Sequence, residues 1–560
     1  MRLLDYAWNI VTSVGGRDHK TLRLILDERL TNPILTSDGQ GMVIKAPRPT
    51  TREGFYTLHG LFFDQDEKSW ASMWHMFKAS LYHTAVHAAY SDFRAYASWA
   101  KGKDIVGATY SVALVEDLHA TMKAAKAWSG IMGDIAYSNY ISALRLPRPD
   151  KIDEPALRFA SKLLLAAWGV SRKTGSPEED KAVAELAQKV KTRTRAAAQS
   201  KEETGALVEA AQDVYSAVMK KGRLEEVPYM PFTEAHGECG VFDSKLVEEG
   251  DTSGLLTSAY TALRMNGPSP EEEKLSSMEA AEFRHDLTQE QQRLDRIAQE
   301  YEEIIATTRL DGVEFPRGDL ASYLRVKSTL AGPIKNIRDQ LRQVKNVLDE
   351  TSGHESGQID TQEAMQVIAS ESKRTDVFLR EEPITKNEAW AILVDASKSV
   401  ASFSQQVKGI TTCLAEVAKE LIPTQSQWGL YAFNNTFQII KDFKEEYTNE
   451  SRARVGGIVQ RNYTLLPDAM STAYKALAAQ PIDTKIMVVA SDGFATGYEG
   501  IEKQLLSTAE SISKSGILLM GVGIDSHALE QYFQVNCVIN SPYQMMKSFV
   551  RSYLELSSLF

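Results

Sequence analysis

From Asn387 to the end of the chain, short apolar runs alternate with amphipathic stretches, and this alternation constrains the fold more than any other feature of the sequence. The runs Ala389 to Val394, Lys485 to Ala490, Ile517 to Gly523 and Val535 to Ile539 have strand length and are mostly apolar. Strands buried on both faces have that composition. Helical spacing fills the gaps, over Ser402 to Leu421, Leu466 to Ala479, Gly500 to Ser515 and from Pro542 onward. Gln427 to Phe433 and Phe437 to Phe443 flank Asn434-Asn435, which predicts a hairpin adding an antiparallel edge strand. Residues 387–560 are therefore expected to form a doubly wound, Rossmann-like α/β domain.

In such a sheet, ligands bind beyond the carboxyl ends of the strands, where the strand order reverses. The first run ends in Asp395-Ala-Ser397-Lys-Ser399, which puts one carboxylate and two hydroxyls on one tight loop. Thr464, just before the helix beginning near Leu466, and Asp492 of Ser491-Asp492-Gly493 are both expected at strand ends. All five side chains offer hard oxygen, the donor type that Mg²⁺ accepts while keeping several of its waters. The competing reading makes Ser397 and Ser399 caps of the following helix and Asp492 a turn stabiliser. That reading explains each residue singly but not their common location at one end of one sheet.

The pattern Asp-x-Ser-x-Ser, then Thr, then Asp, resembles the metal-ion-dependent adhesion site (MIDAS) of the von Willebrand factor type A (vWA) family, over roughly Asn387 to Phe560. The resemblance implies that Asp395 holds a divalent cation directly or through water and that Ser397 and Ser399 ligate it through their hydroxyls. Thr464 and Asp492 would complete the coordination, with Mg²⁺ the expected ion and Mn²⁺ or Ca²⁺ the alternatives. A vWA domain placed last, after a long helical region, resembles the arrangement of the NorD/CbbO/CobT family, whose members work with MoxR-type AAA+ ATPases. Gly357-Gln-Ile-Asp360 and Asp376-Val-Phe-Leu-Arg380 are similar to that family's approach to its vWA domain, and His83-Thr-Ala-Val-His87 with Glu116-Asp117 to its helical elements. By this resemblance the chain is a non-catalytic, chaperone-like adaptor. Its cation would offer a coordination position to an acidic residue of a client protein, and a hexameric ATPase would supply the work.

The rest of the chain reads as helical. At 560 residues it exceeds one ordinary hydrophobic core. Its 43% apolar and 24% charged residues are values of folded globular chains. Aromatic and aliphatic residues recur at helical spacing from Glu67 to Trp99, Ala108 to Ala143 and Glu154 to Val170, with a small hairpin expected between Leu35 and Ala46. The polar stretch Arg172 to Asp180 suggests a junction, which gives a helical N-terminal domain (1–171), a helical and irregular middle region and linker (172–386) and the vWA domain (387–560). Within the middle region, Gly222 to Pro270 is expected to be irregular. Two helical stripes follow, Leu287, Leu294, Ile297, Tyr301 and Ile304, then Ile334, Ile337, Leu341, Val344 and Leu348.

Composition narrows the function. A formal charge of −11, from 63 Lys+Arg against 74 Asp+Glu, argues against nucleic-acid binding. Cys239, Cys413 and Cys537 are odd in number and far apart, so neither a disulfide framework nor a clustered thiolate zinc site is expected. With no signal peptide or membrane span recognised, the expected location is cytoplasmic. Gly15-Gly16-Arg-Asp-His-Lys20-Thr21 lacks the Gly before Lys of a phosphate loop, so nucleotide hydrolysis is assigned to a partner.

Two alternatives compete with the adaptor. One is a metallohydrolase with zinc on His83 and His87, four residues apart and hence on one side of a helix, with Glu116, Asp117 or His119 as further ligands. Thr84 stands where a helical zinc protease carries its general-base Glu, and paired helical histidines are more often packed or solvated. On that account no stoichiometric zinc is expected in the N-terminal half. The other alternative is a scaffold whose cation is purely structural.

Overall fold

The computed structural model describes residues 2–37, 41–52, 54–169, 176–198, 203–228, 270–336, 348–354, 358–370, 374–383, 387–422, 424–540 and 545–557. The segment expected to be irregular lies mostly outside them, as do Cys239 and three members of the second stripe, Ile337, Leu341 and Val344. The chain divides into two compact units, Met1–Leu294 and Asp295–Phe560.

The first unit begins with helix α1 (Leu3–Gly15) and two small sheets. In one, β1 (Leu22–Asp27) pairs parallel with β3 (Met42–Pro47), which pairs antiparallel with β2 (Ile34–Ser37) in the expected hairpin. The other is a meander of β4 (Thr50–Arg52), β5 (Phe55–Leu58) and β6 (Leu61–Phe63). Helices follow: α2 (Glu67–Tyr90), α3 (Phe93–Ala100), α4 (Ile105–Ala127), α5 (Met132–Arg145), α6 (Pro155–Ala167), α7 (Pro177–Ala197) and α8 (Glu203–Met219). Asp66, Asp92 and Asp104 start the first three of these by accepting from backbone N–H groups of Ser69, Ala95 and Gly107, the usual aspartate cap. Gly15 and Gly16 terminate α1, with Gly16 left-handed at φ 61°; they form a helix stop, not a phosphate cradle.

Helix α4 is central, burying apolar residues such as Tyr110, Leu114 and Leu118 together with Glu116, Asp117 and His119. Gly107 near its start permits this, because a Cβ there would stand 3.0 Å from the Met219 sulfur of α8. One hydrophobic core joins Tyr96, Leu114 and Leu163 to Val183, Val190, Leu207 and Val214. The junction expected at 171/172 therefore falls inside a shared core, because the apolar stripes of α7 and α8 are buried against α4 and α6. Helices on either side of the polar stretch thus share one core.

The second unit is built on a seven-stranded sheet of order β16-β15-β14-β11-β12-β13-β7. Its strands are β7 (Val313–Glu314), β11 (Glu388–Asp395), β12 (Trp428–Phe433), β13 (Phe437–Lys441), β14 (Thr484–Ser491), β15 (Leu518–Ile524) and β16 (Val535–Ile539). All neighbours pair parallel except β12 with β13, the hairpin read from the sequence. Strand β13 is not the edge, however. Val313 and Glu314 pair beyond it, placed by helix α9 (Pro270–Ile305), whose Ile297, Tyr301 and Ile305 lie in the same core as Phe433 and Phe437. This unit thus starts well upstream of Asn387. Helix α10 (Leu320–Thr329) follows β7, and Leu348, the last member of the second stripe, opens strand β8 (Leu348–His354) instead of continuing a helix. That strand, β9 (Gln358–Ile359) and β10 (Phe378–Pro383) form a separate antiparallel sheet, with α11 (Thr361–Ala369) between the last two in sequence.

The remaining helices are α12 (Ser404–Leu421), α13 (Asn449–Gly456), α14 (Leu466–Ala478), α15 (Ile501–Lys514) and α16 (Met545–Ser557). The doubly wound expectation holds, with α13 as an addition. Every residue of β11 is buried, as a central strand covered on both faces requires. From β11 the order runs one way to β12 and the other to β14, so the switch point lies at the carboxyl ends of β11 and β14.

Candidate metal centre

Asp395 is the last residue of β11 and is fully buried. Its Oδ1 accepts from the Ser397 backbone N–H at 2.8 Å, closing a turn, and its Oδ2 accepts from the Ser491 hydroxyl at 2.5 Å at the end of β14. The two strand ends at the switch point are therefore joined through one carboxylate. The Ser397 and Ser399 hydroxyls lie 2.8 Å apart, Ser397 buried and Ser399 exposed. Neither caps the next helix. A short helical turn, Ala401–Phe403, intervenes, and α12 has no side-chain cap. The capping account of these two serines thus fails.

Asp492 follows Ser491 and is nearly buried; its Oδ1 accepts from the Phe494 N–H at 3.1 Å, so it does stabilise a turn. Gly493 makes that turn at φ 79°, and a Cβ there would meet that of Ala528 at 2.8 Å. Burial pushes the Asp395 carboxyl up to about 6, and the charge of Asp492 adds to the shift. Two carboxylates are thus held close enough to repel, one of them without solvent.

Thr464 is buried, but it does not follow a strand. It lies in the loop between α13 and α14, and backbone bonds place that loop against the others. Lys398 N–H donates to Asn462 O, Arg461 N–H donates to Ala396 O, and Thr496 N–H donates to Thr464 O. The Thr464 N–H donates in turn to the Thr496 hydroxyl at 3.2 Å. The loops carrying all five expected oxygens are thus stitched together at one end of the sheet. Buried carboxylate, neighbouring carboxylate and serine hydroxyls form a hard-oxygen set whose charge a divalent cation would offset, so the residues fit such an ion.

Residues 391–556 match the family model described as von Willebrand factor type A domain. This part of the chain is a vWA domain.

Other likenesses each cover less than a third of the chain. An uncharacterized protein of Pseudomonas aeruginosa, PA0525, is 26% identical over 175 residues, 28% of this chain and 28% of its own length. The chain therefore aligns with little more than a quarter of that relative. Proximal thread matrix protein 1 from the mussel byssus is 15% identical, with 30% of this chain and 48% of that one covered at a TM-score of 0.25. An aerotolerance-related membrane protein from Bacteroides fragilis is 14% identical, with 30% and 100% covered at a TM-score of 0.21.

Sequence reasoning missed Ser491, which binds Asp395 across the switch point; its position directly before Asp492 was the available signal. It also missed that the vWA loops expose large apolar side chains. Tyr463, beside Thr464, is 63% exposed, and Phe494, whose N–H caps Asp492, is 61% exposed. Exposed aromatic residues beside a polar site suit a protein surface better than a small ligand.

Proposed function

We propose that this chain is a non-catalytic adaptor that binds a client protein through a cation at its vWA site and couples the client to a MoxR-type AAA+ ATPase. Asp395, Ser397, Ser399, Thr464 and Asp492 would hold the ion, taken to be Mg²⁺, with Mn²⁺ or Ca²⁺ as substitutes. When bound, it supplies a Lewis-acid position that a client carboxylate can take. The observation that carries the reading is the joining of β11 and β14 through Asp395, which leaves a buried carboxylate and its charged neighbour facing the loops with exposed aromatics.

The chain's own residues have defined tasks. The Ser491 hydroxyl and the Ser397 N–H fix the Asp395 carboxylate, while the Phe494 N–H holds Asp492 in the turn that Gly493 makes. Tyr463 and Phe494 provide apolar contact area around the polar centre. The ATPase partner rests on the resemblance of the chain's layout to the NorD/CbbO/CobT family.

The test is stimulation of a MoxR-type ATPase, and capture of it and of a candidate client, by the full chain with Mg²⁺ and with chelator. Mg²⁺-dependent capture that Asp395→Ala abolishes supports the adaptor. Capture unaffected by chelation and by the substitution overturns it and leaves a scaffold with a structural cation.

A further inference from the structure

We propose that His83, His87 and Asp117 hold a divalent transition-metal ion of the zinc class, which clips α2 to α4 inside the first unit. The two histidines sit four residues apart on one side of α2, and Asp117 faces them from α4. All three are buried. His87 Nε2 lies 3.1 Å from His83 Nε2 and 3.1 Å from Asp117 Oδ1, and His83 Nε2 lies 3.3 Å from that same oxygen. A tetrahedral ion with bonds of about 2.0–2.1 Å sets its ligand atoms roughly 3.3 Å apart. The triangle has the edges of such a coordination face.

The surrounding hydrogen bonds fix what the central atoms present to one another. The Ser91 hydroxyl donates to Glu116 Oε2 at 2.5 Å, so its oxygen can only accept from His87 Nδ1, 2.9 Å away. With its proton on Nδ1, His87 turns the lone pair of Nε2 to the side where His83 Nε2 and Asp117 Oδ1 lie and where a shared cation would sit. The layer behind the ligands is of the kind metal-bound histidines need, because Glu116 orients His87 through Ser91 and is itself held by the Tyr96 hydroxyl.

The other candidate ligand is elsewhere. His119 Nε2 is engaged by Glu203, so it takes no part. The Thr84 hydroxyl donates to Ser80 O at 2.7 Å and provides no base. The proposed site is a clip between helices, not a hydrolytic centre, and it runs against the sequence-based expectation that this half holds no stoichiometric zinc. Two imidazoles and a carboxylate suit zinc among the first-row dications.

The test uses full-length protein without an affinity tag, purified without chelator, analysed for metals, then stripped and reloaded with Zn²⁺ or with Co²⁺ as a visible probe. One equivalent of transition metal per chain is expected, with cobalt absorption in the visible and a thermal transition several degrees lower after stripping. His83→Gln and Asp117→Asn should lose the equivalent and the absorption. Failure of the wild-type chain to take up Zn²⁺ or Co²⁺, or uptake unchanged in both variants, overturns the proposal. Where circular dichroism shows a variant unfolded, X-ray absorption of the wild-type cobalt protein decides. Two imidazole scatterers in an N/O shell support the site, and a shell without imidazole overturns it.

Discussion

Asp395 does two jobs that mutation can separate. It ends a buried strand, and it presents charge to the loops beyond. A bound cation adds RT ln(1 + [L]/Kd), about 1 kcal/mol at free Mg²⁺ a few-fold above Kd, which is small beside the 5–15 kcal/mol typical of a domain. Asp395→Ala should therefore leave the circular dichroism spectrum intact and abolish Mg²⁺ binding measured by calorimetry. Asp492→Ala should weaken binding less, because part of that carboxylate's work is to accept from Phe494. Lys398→Ala should change nothing, since the side chain is exposed and only its backbone joins Asn462. A different residue makes the first unit sensitive to acid. Burial lowers His59 to about 4 although its Nδ1 meets Thr31 O at 2.9 Å. Between pH 6.5 and 4 the unfolded chain binds a proton that the folded chain refuses, so stability is full above 6.5 and falls with pH across that window. The loss approaches about 3 kcal/mol, one proton's worth at 1.4 kcal/mol per unit. His59 sits at φ 56°, which Asn tolerates, so His59→Asn should fold and show a flatter decline in urea titrations from pH 6.5 to 4.

At the scale of elements, the segment before the vWA match carries part of that domain's core. Tyr301 of α9 packs on Phe437, and its hydroxyl bonds Tyr431 at 2.6 Å and Asp442 at 2.7 Å. Tyr301→Ala should cost about 3–5 kcal/mol in denaturant unfolding of this unit. A fragment beginning at 387 should likewise unfold at lower urea than one beginning at 295, because it lacks Ile297, Tyr301, Ile305, Leu310 and β7. Equal midpoints for the two fragments would remove these residues from the core's energetics. The alternation after Asn387 was legible because wholly buried strands and amphipathic helices leave different periods in the sequence. Strand β7 was not, since two residues carry no period and their partners, Phe437 and Gln438, are remote in the chain. Helix α13 was hidden by a polar composition, and its neighbour Thr464 was consequently read as a strand end. The Asp395 and Asp492 loops were legible because a sheet's switch point is decided by strand order. The partner of Asp395, Ser491, was not, because a serine beside an aspartate carries little information. His83 and His87 were visible as a pair with Glu116, Asp117 and His119 as candidate partners, and only the packing of α4 against α2 singles out Asp117.

At the scale of the whole molecule, the proposed division of labour separates binding from work. Purified full-length chain should show no ATP turnover that scales with its own concentration, and adding it to a MoxR-type ATPase should raise that enzyme's rate only with Mg²⁺ present. Turnover that persists through further purification and follows the chain's concentration would place hydrolysis here and end the adaptor reading. Among the described residues no helix is long and apolar enough to cross a membrane. The upstream origin of β7 also has a consequence in time. A ribosome releases Val313 before Phe437, and at about 5–20 residues per second the strand waits on the order of ten seconds for its partner to be made. Through that interval Ile297, Tyr301 and Ile305 have been synthesised while the surface they bury against has not. The nascent chain is then stickiest just before its last third emerges, and holdase chaperones should associate with ribosomes stalled in that window more than with those stalled after residue 560.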